Sequence, residues 1–229
     1  MSTSTLAHIP AGGATIEGML DIPDRAVGLV LFAHGSGSSR HSPRNNYVAG
    51  VLRQAGVATL LMDLLTPEED RDVARRFDIG LLTQRLLDAA RWAGLQTATR
   101  ELPLGFFGAS TGAAAALEAA AALGANAKAL KDSDPLRAEA RAEPYAVVSR
   151  GGRPDLASRQ ALASVTAPTL LLVGGFDDGV IELNQQAYDQ LRCEKKLVIV
   201  PGATHLFEEP GTLEDVARQA AAWFTRHLG

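Results

Sequence analysis

Short apolar runs recur along the chain, each closing on a glycine or another turn residue, with helix-patterned stretches between them. The runs are "GLVLFAHG" (28–35), "TLLMDLL" (59–65), "PLGFFGAS" (103–110), "YAVVSRG" (145–151), "TLLLVGG" (169–175) and "KLVIVPG" (196–202). A continuous apolar run without alternation is the pattern of a strand buried on both faces, as in a parallel sheet. The stretches between them, such as "DIGLLTQRLLDAARWAGL" and "TLEDVARQAAAWFTRHL", carry apolar residues at helical spacing. Residues 4–23 instead alternate apolar and polar residues, as two antiparallel strands do. The expectation is one domain over 1–229. It has an N-terminal antiparallel hairpin, a mostly parallel twisted sheet and helices on both faces.

That layout gives each loop an address. Strand-to-helix loops open at the carboxyl edge of the sheet, where ligands bind. Any chemistry should therefore sit in 34–42, 63–77, 108–112, 149–158, 175–180 and 201–212. Composition narrows the chemistry. With 22 basic against 26 acidic residues, the net charge of −4 gives no basic surplus for nucleic acid or a membrane surface. The single cysteine, Cys193, excludes an internal disulfide. The start "MSTSTLAHIP" lacks the basic and apolar segments of a signal peptide, and no apolar run is long enough to span a bilayer. A soluble protein of the cytoplasm is expected.

The motif that carries chemistry is "GASTG", between the strand-like run ending at Phe107 and a helix-like run of alanines. A strand that turns sharply into a helix strains its apex residue, and flanking glycines remove side chains that would collide. Ser110 is then held over the sheet edge as a candidate nucleophile. A serine hydroxyl needs a base, and the base needs an orienting acid. His205 in "PGATHLFEEPG" and Asp177 in "VGGFDDGV" follow the last two strands, in the chain order nucleophile, acid, base. Asp178 competes with Asp177 for the acid. The developing oxyanion needs donors. Thr111 N–H at the helix start supplies one, and Ser36 N–H in "HGSGSSRHS" the other, with Gly35 and Gly37 as alternatives. His34 is read as a brace for that loop.

With these segments identified, the chain resembles the dienelactone hydrolase-like family of small bacterial α/β-hydrolases. The likeness runs through "HGSGSSRHSPRN", "GASTGAAAAL", "SRGGRPDL" and "GATHLFEEPG" and covers nearly the whole chain. It implies the α/β-hydrolase fold, a Ser110–Asp177–His205 triad and no cofactor. It implies hydrolysis of carboxylic esters, thioesters or lactones through an acyl-enzyme. Dienelactone hydrolases proper use a cysteine where this chain has Ser110, which widens the expected substrates to esters generally. Two other readings keep the same residues: a ligand-binding protein on the fold, and an acyltransferase. Multiple-turnover ester hydrolysis separates the enzyme from the binding protein.

Further segments carry weaker expectations. "TPEEDRDVARRFD" (66–78) interleaves carboxylates with arginines and reads as a self-paired, solvated helix face. Asp63 is read as structural, Cys193 as a bystander, Trp92 and Trp223 as core. No Cys/His cluster has metal spacing, so no metal is expected. Segment 125–144 is polar but lies between a helix and a strand, at the edge away from the site. With few residues in "RGGRPDLA", a large lid is not expected. Arg150 and Arg153 stand in that loop, where they either pair with local acids such as Asp155 or favour an anionic group on a small-molecule, ester-like substrate. The sequence does not address oligomeric state.

Overall fold

The computed structural model of the protein describes residues 3–133 and 143–228. Strands β1 (Thr3–Ala11) and β2 (Ala14–Ile22) form the antiparallel hairpin. Each expected apolar run falls on a strand, with β4 and β8 beginning shortly before the run: β3 (Gly28–Ala33), β4 (Val57–Met62), β5 (Leu104–Ala109), β6 (Val147–Arg150), β7 (Thr169–Gly174) and β8 (Lys195–Val200). They make one eight-stranded sheet in the order β1-β2-β4-β3-β5-β6-β7-β8. The hairpin joins through an antiparallel β2–β4 pair, and the pairs from β4 across to β8 are parallel.

Every residue of β3 to β7 is buried, as their unbroken apolar sequences require, whereas β8 at the edge is only partly covered. Among the described residues six helices cover the sheet: α1 (Pro43–Gln54), α2 (Ile79–Leu95), α3 (Thr111–Ser133), α4 (Arg159–Ser164), α5 (Asp178–Gln190) and α6 (Thr212–Arg226). Alternate strand residues face opposite layers. Leu31, Phe106, Val147 and Leu171 pack with α2, α3, α4 and α5. Val30, Phe32, Phe107, Val148 and Leu172 pack with α1 and α6. The alanine run Ala113–Ala116 is fully buried and lets α3 lie close against the sheet and α2.

The crossovers create the crevice. From β3 the chain passes through α1 to β4 on one side, then through α2 to β5 on the other side of β3. The carboxyl ends of β3 and β5 therefore send their loops apart, at the place where such sheets bind ligands.

Two expectations are modified. Segment 66–78 is not a helix face. It folds as two 3₁₀ turns, Glu69–Arg71 and Arg75–Phe77, but it is self-paired, through Arg76–Asp70 at 3.0 Å and Arg75–Glu69 at 3.3 Å. Thr66 and Glu69 cap each other, Thr66 N–H donating to Glu69 Oε2 and Glu69 N–H to Thr66 Oγ1. Helix α3 also runs past its expected end near Gly124, because no glycine cap or proline stops it before Ser133. Its 23 residues span about 35 Å against about 20 Å for a six-residue strand. Residues 125–133 of the polar segment thus continue α3 toward the edge away from the elbow, and 134–142 lie outside the described residues.

Phe107 joins this core to the site. It is fully buried, its ring centroid lies 4.8 Å from that of Phe32, and Ser110 follows three residues on. Phe107→Ala should lower unfolding free energy by about 3–5 kcal/mol, read from urea melts. A loss near zero would mean that this layer is not the packed support described.

Candidate active site

Ser110 sits between β5 and α3 with φ at 50°, in the left-handed region that side chains other than glycine seldom adopt. Its backbone is held on both sides. Ser110 N–H donates to Arg150 C=O at 3.2 Å, and Ser110 C=O accepts from Ala113 at 3.1 Å and Arg153 at 3.0 Å. The two glycines of the motif have separate steric reasons. A Cβ on Gly108 would lie 2.4 Å from Ala113 Cα, and one on Gly112 would lie 2.2 Å from Ala33 O. Helix α3 can therefore begin directly against the end of β3 only if both positions lack a side chain.

The loop after β3 closes one flank. A Cβ on Gly35 would come within 2.9 Å of Ser110 Cβ. Polar braces hold this loop. The His34 ring lies between Gly35 C=O, 2.9 Å from Nδ1, and the Leu64 amide, which donates to Nε2 at 3.0 Å. Asp63 accepts from Arg40 N–H at 2.7 Å and pairs with its guanidinium, so both residues have the structural roles expected of them. Ser36 N–H, expected to face the substrate oxygen directly, instead donates to Thr111 Oγ1 at 2.9 Å. A small cleft, about large enough for a water molecule, is lined here by Ser36, Gly37, Thr111, Asp70 and Arg76.

The loops after β7 and β8 close the other flank. His205 Nδ1 lies 2.6 Å from Asp177 Oδ2. A neutral imidazole donating Nδ1–H to this carboxylate keeps its lone pair on Nε2. Asp177 occupies the N-cap of α5 without capping it by its side chain, which leaves the carboxylate for His205. Asp178 is the exposed first residue of the helix. A Cβ on Gly151 would lie 3.6 Å from His205 Cε1, so the imidazole rests against the residue next to Ser110's amide acceptor. Among the described residues no hydrogen bond joins Ser110 Oγ to His205.

Two supports of the His205 loop are not evident from sequence motifs. Glu209 accepts from Thr204 N–H at 3.0 Å and from Thr204 Oγ1 at 2.6 Å. These bonds, the side-chain one foremost, hold its carboxyl below its ordinary value. Phe207, buried at φ 55°, turns the chain two residues after His205, its N–H donating to Thr204 C=O at 3.2 Å. The acidic "FEEPG" before a helix was the available signal for Glu209, but nothing in it specified the partner.

Of the two arginines, Arg153 pairs with its local acid and Arg150 is buried. Arg153 donates Nε–H to Asp155 Oδ1 at 2.8 Å and Nη2–H to Oδ2 at 2.7 Å, which uses its bidentate edge locally. Arg150 is 8% exposed, with its guanidinium 5.9 Å from the Phe207 ring centre and an Nη2–H bond to Asn45 Oδ1 at 3.4 Å. Burial, with Arg44 nearby, lowers its pKa to about 10. Cys193 is half-buried, near the end of α5 and away from the elbow, and burial pushes its thiol up. Among the described residues no group of three or more His, Cys, Asp or Glu is placed to hold a metal ion. No helix among them is long and apolar enough to cross a membrane.

A doubly wound sheet with a strained serine at the turn after β5, and a His–Asp pair on the loops after its last strands, has the architecture of an α/β-hydrolase. The chain is 51% identical to the dienelactone hydrolase of Anabaena variabilis, with 100% of this chain and 99% of that one covered at a TM-score of 0.87. It belongs to the dienelactone hydrolase family. The protein Est1E of Butyrivibrio proteoclasticus shares the fold at 16% identity and a TM-score of 0.78, over 97% of this chain and 98% of that one. A lidless serine hydrolase of Xanthomonas campestris does so at 20% and 0.73, over 97% and 94%. Two Mycobacterium tuberculosis proteins, each named "Putative phosphoribosyl transferase", are 56% identical over 221 residues, which is 96% of this chain and 46% of theirs. The chain thus spans about half the length of the curated relatives it matches. No family model matches the sequence.

His34 links the loop to pH. Burial, its leading influence, lowers the ring's pKa from the ordinary 6.5. A proton on Nε2 would also set N–H against the Leu64 N–H. The unfolded chain therefore takes up a proton before the folded one, so this contribution is complete above the unfolded value and is lost as pH falls below it. Between about pH 7.5 and 5.5 the melting temperature should fall, and fall less steeply in His34→Gln. Equal slopes would show that His34 is not held neutral.

Proposed function

We propose that this chain hydrolyses carboxylic esters, thioesters or lactones through a Ser110–His205–Asp177 triad and an acyl-enzyme. The observation that carries the reading is the 2.6 Å His205–Asp177 contact beside a serine held at φ 50° on the strand-to-helix turn. Ser110 Oγ attacks the carbonyl carbon while His205 Nε2 takes its proton. Asp177 keeps the tautomer and stabilises the imidazolium. His205 then returns the proton to the leaving alcohol or thiol. Water, deprotonated by the same nitrogen, releases the acid.

Membership of the dienelactone hydrolase family supports hydrolysis, and the serine in the elbow favours esters over a dienelactone in particular. The β6-to-α4 connection contains a single 3₁₀ turn, Pro154–Leu156, which supports a site without a large lid on that side. The local bonds of Arg153 withdraw one reason for expecting an anionic group on that substrate, and the reading stands without it. The proposed setting is the cytoplasm, with no cofactor, nucleic acid or membrane partner. The name carried by the curated relatives describes proteins of about twice this length, and the proposal concerns the half that this chain matches.

The kinetics of an aryl ester test the assignments. Ser110→Ala should lower kcat by about 10⁵–10⁶ without loss of fold. Asp177→Asn should cost about 10⁴ through the wrong histidine tautomer, whereas Asp178→Asn should cost far less. A Ser110→Ala enzyme close to wild type would remove the nucleophile, and a reversed aspartate ranking would move the acid. A wild type that reacts once and stops would favour a binding protein.

A further inference from the structure

The bond between Ser36 and Thr111 bears on which groups meet the developing oxyanion. Thr111 is 2% exposed. Among the described residues its hydroxyl accepts the Ser36 N–H and donates no hydrogen bond. A hydroxyl that accepts one bond still has a proton to give. Thr111 follows Ser110 directly, and its own N–H, the first of α3, has no acceptor within the helix. Thr111 Oγ1 also stands 2.9 Å from the Ser36 nitrogen, about where an oxyanion bound to that amide would stand.

We propose that the Thr111 hydroxyl, in place of the Ser36 amide, is the second donor to the oxyanion. The Ser36 N–H orients that hydroxyl and polarises it. This rests on the reading of Ser110 as nucleophile. As Ser110 Oγ bonds to the carbonyl carbon, the C=O π pair moves onto oxygen. Thr111 N–H and Thr111 Oγ–H each donate to it, and neither gives up its proton. The sequence Ser36 N–H to Thr111 Oγ–H to oxyanion is a chain in which each bond strengthens the next. Both donors then come from one residue at a helix start, where the dipole also favours negative charge.

The test compares Thr111→Val, which keeps the shape and removes the hydroxyl, with Thr111→Ser, which keeps the hydroxyl. Turnover of p-nitrophenyl acetate and binding of phenylboronic acid, which forms a tetrahedral adduct on a serine, are the two readouts. Loss of an oxyanion donor should lower kcat by about 10²–10³ in Thr111→Val. KM should change little, and phenylboronic acid should bind more weakly by a comparable factor. Thr111→Ser should stay within about tenfold of wild type by the same criterion. A Thr111→Val enzyme as fast as wild type, or faster, overturns the proposal, because the hydroxyl would then be a plug over the Ser36 amide. Equal losses in the Val and Ser variants also overturn it, because the methyl group would then be what matters. If the valine variant does not fold, Thr111→Ala carries the same comparison. Labelling of Ser110 by a fluorophosphonate separates the two levels of argument. Wild type that labels elsewhere overturns the triad and this proposal together, whereas normal labelling with an unaffected Thr111→Val overturns this proposal alone.

Discussion

A serine at φ 50° persists only where its neighbours deny it the alternatives. Such a conformation costs on the order of 1–3 kcal/mol, and here the sheet supplies the restraint. The β6 end accepts the Ser110 amide, the start of α3 and the loop after β6 both donate to its carbonyl, and the β3 end packs against Gly112. These contacts require β5 to lie between β3 and β6, so the strand order and the strained turn depend on one another. The parallel core, through Phe107 and Phe32, is what keeps that order rigid.

From that fixed point the site divides into two flanks of different construction. On the β3 side a glycine-rich loop is tied down by bonds to His34, Arg40 and Ser36, with partners on the loop after β4 and on α3. On the β7–β8 side Asp177, His205 and Thr204 lie partly in solvent, and their order comes from one another and from Glu209. In the proposed mechanism the first flank would be the floor for an oxyanion, and the second would carry the group that changes its protonation state, exposed so that water can reach it for deacylation.

Much of this was legible because buried strands and turns leave marks that depend on few neighbours. An unbroken apolar run closing on glycine specifies a covered strand, and the "GASTG" turn specifies its own steric needs. Asp177 and His205 were legible as loop residues at the proper edge. The rest depended on which groups meet across the fold. Nothing in "GSGSS" shows that the Ser36 amide would find the Thr111 hydroxyl, 75 positions away. The bond of Arg153 to Asp155, two positions on, is open to the sequence as one of two readings, and the 3₁₀ turn that follows it brings the pair together. The length of α3 is hidden in the sequence because its polar continuation has the composition of a loop, although no residue there stops a helix. Segment 66–78 was self-paired as its charges indicated, but two short turns serve that pairing as well as one helix.

Covalent chemistry at Ser110 is tested most directly by mass spectrometry of the peptide that carries it. Wild type mixed with p-nitrophenyl acetate and quenched in acid during turnover should gain one acetyl group, located on Ser110. His205→Ala, treated alike, should gain none on that time scale. Release of p-nitrophenol with no acetyl on Ser110, or acetyl on another side chain in both proteins, would contradict the account.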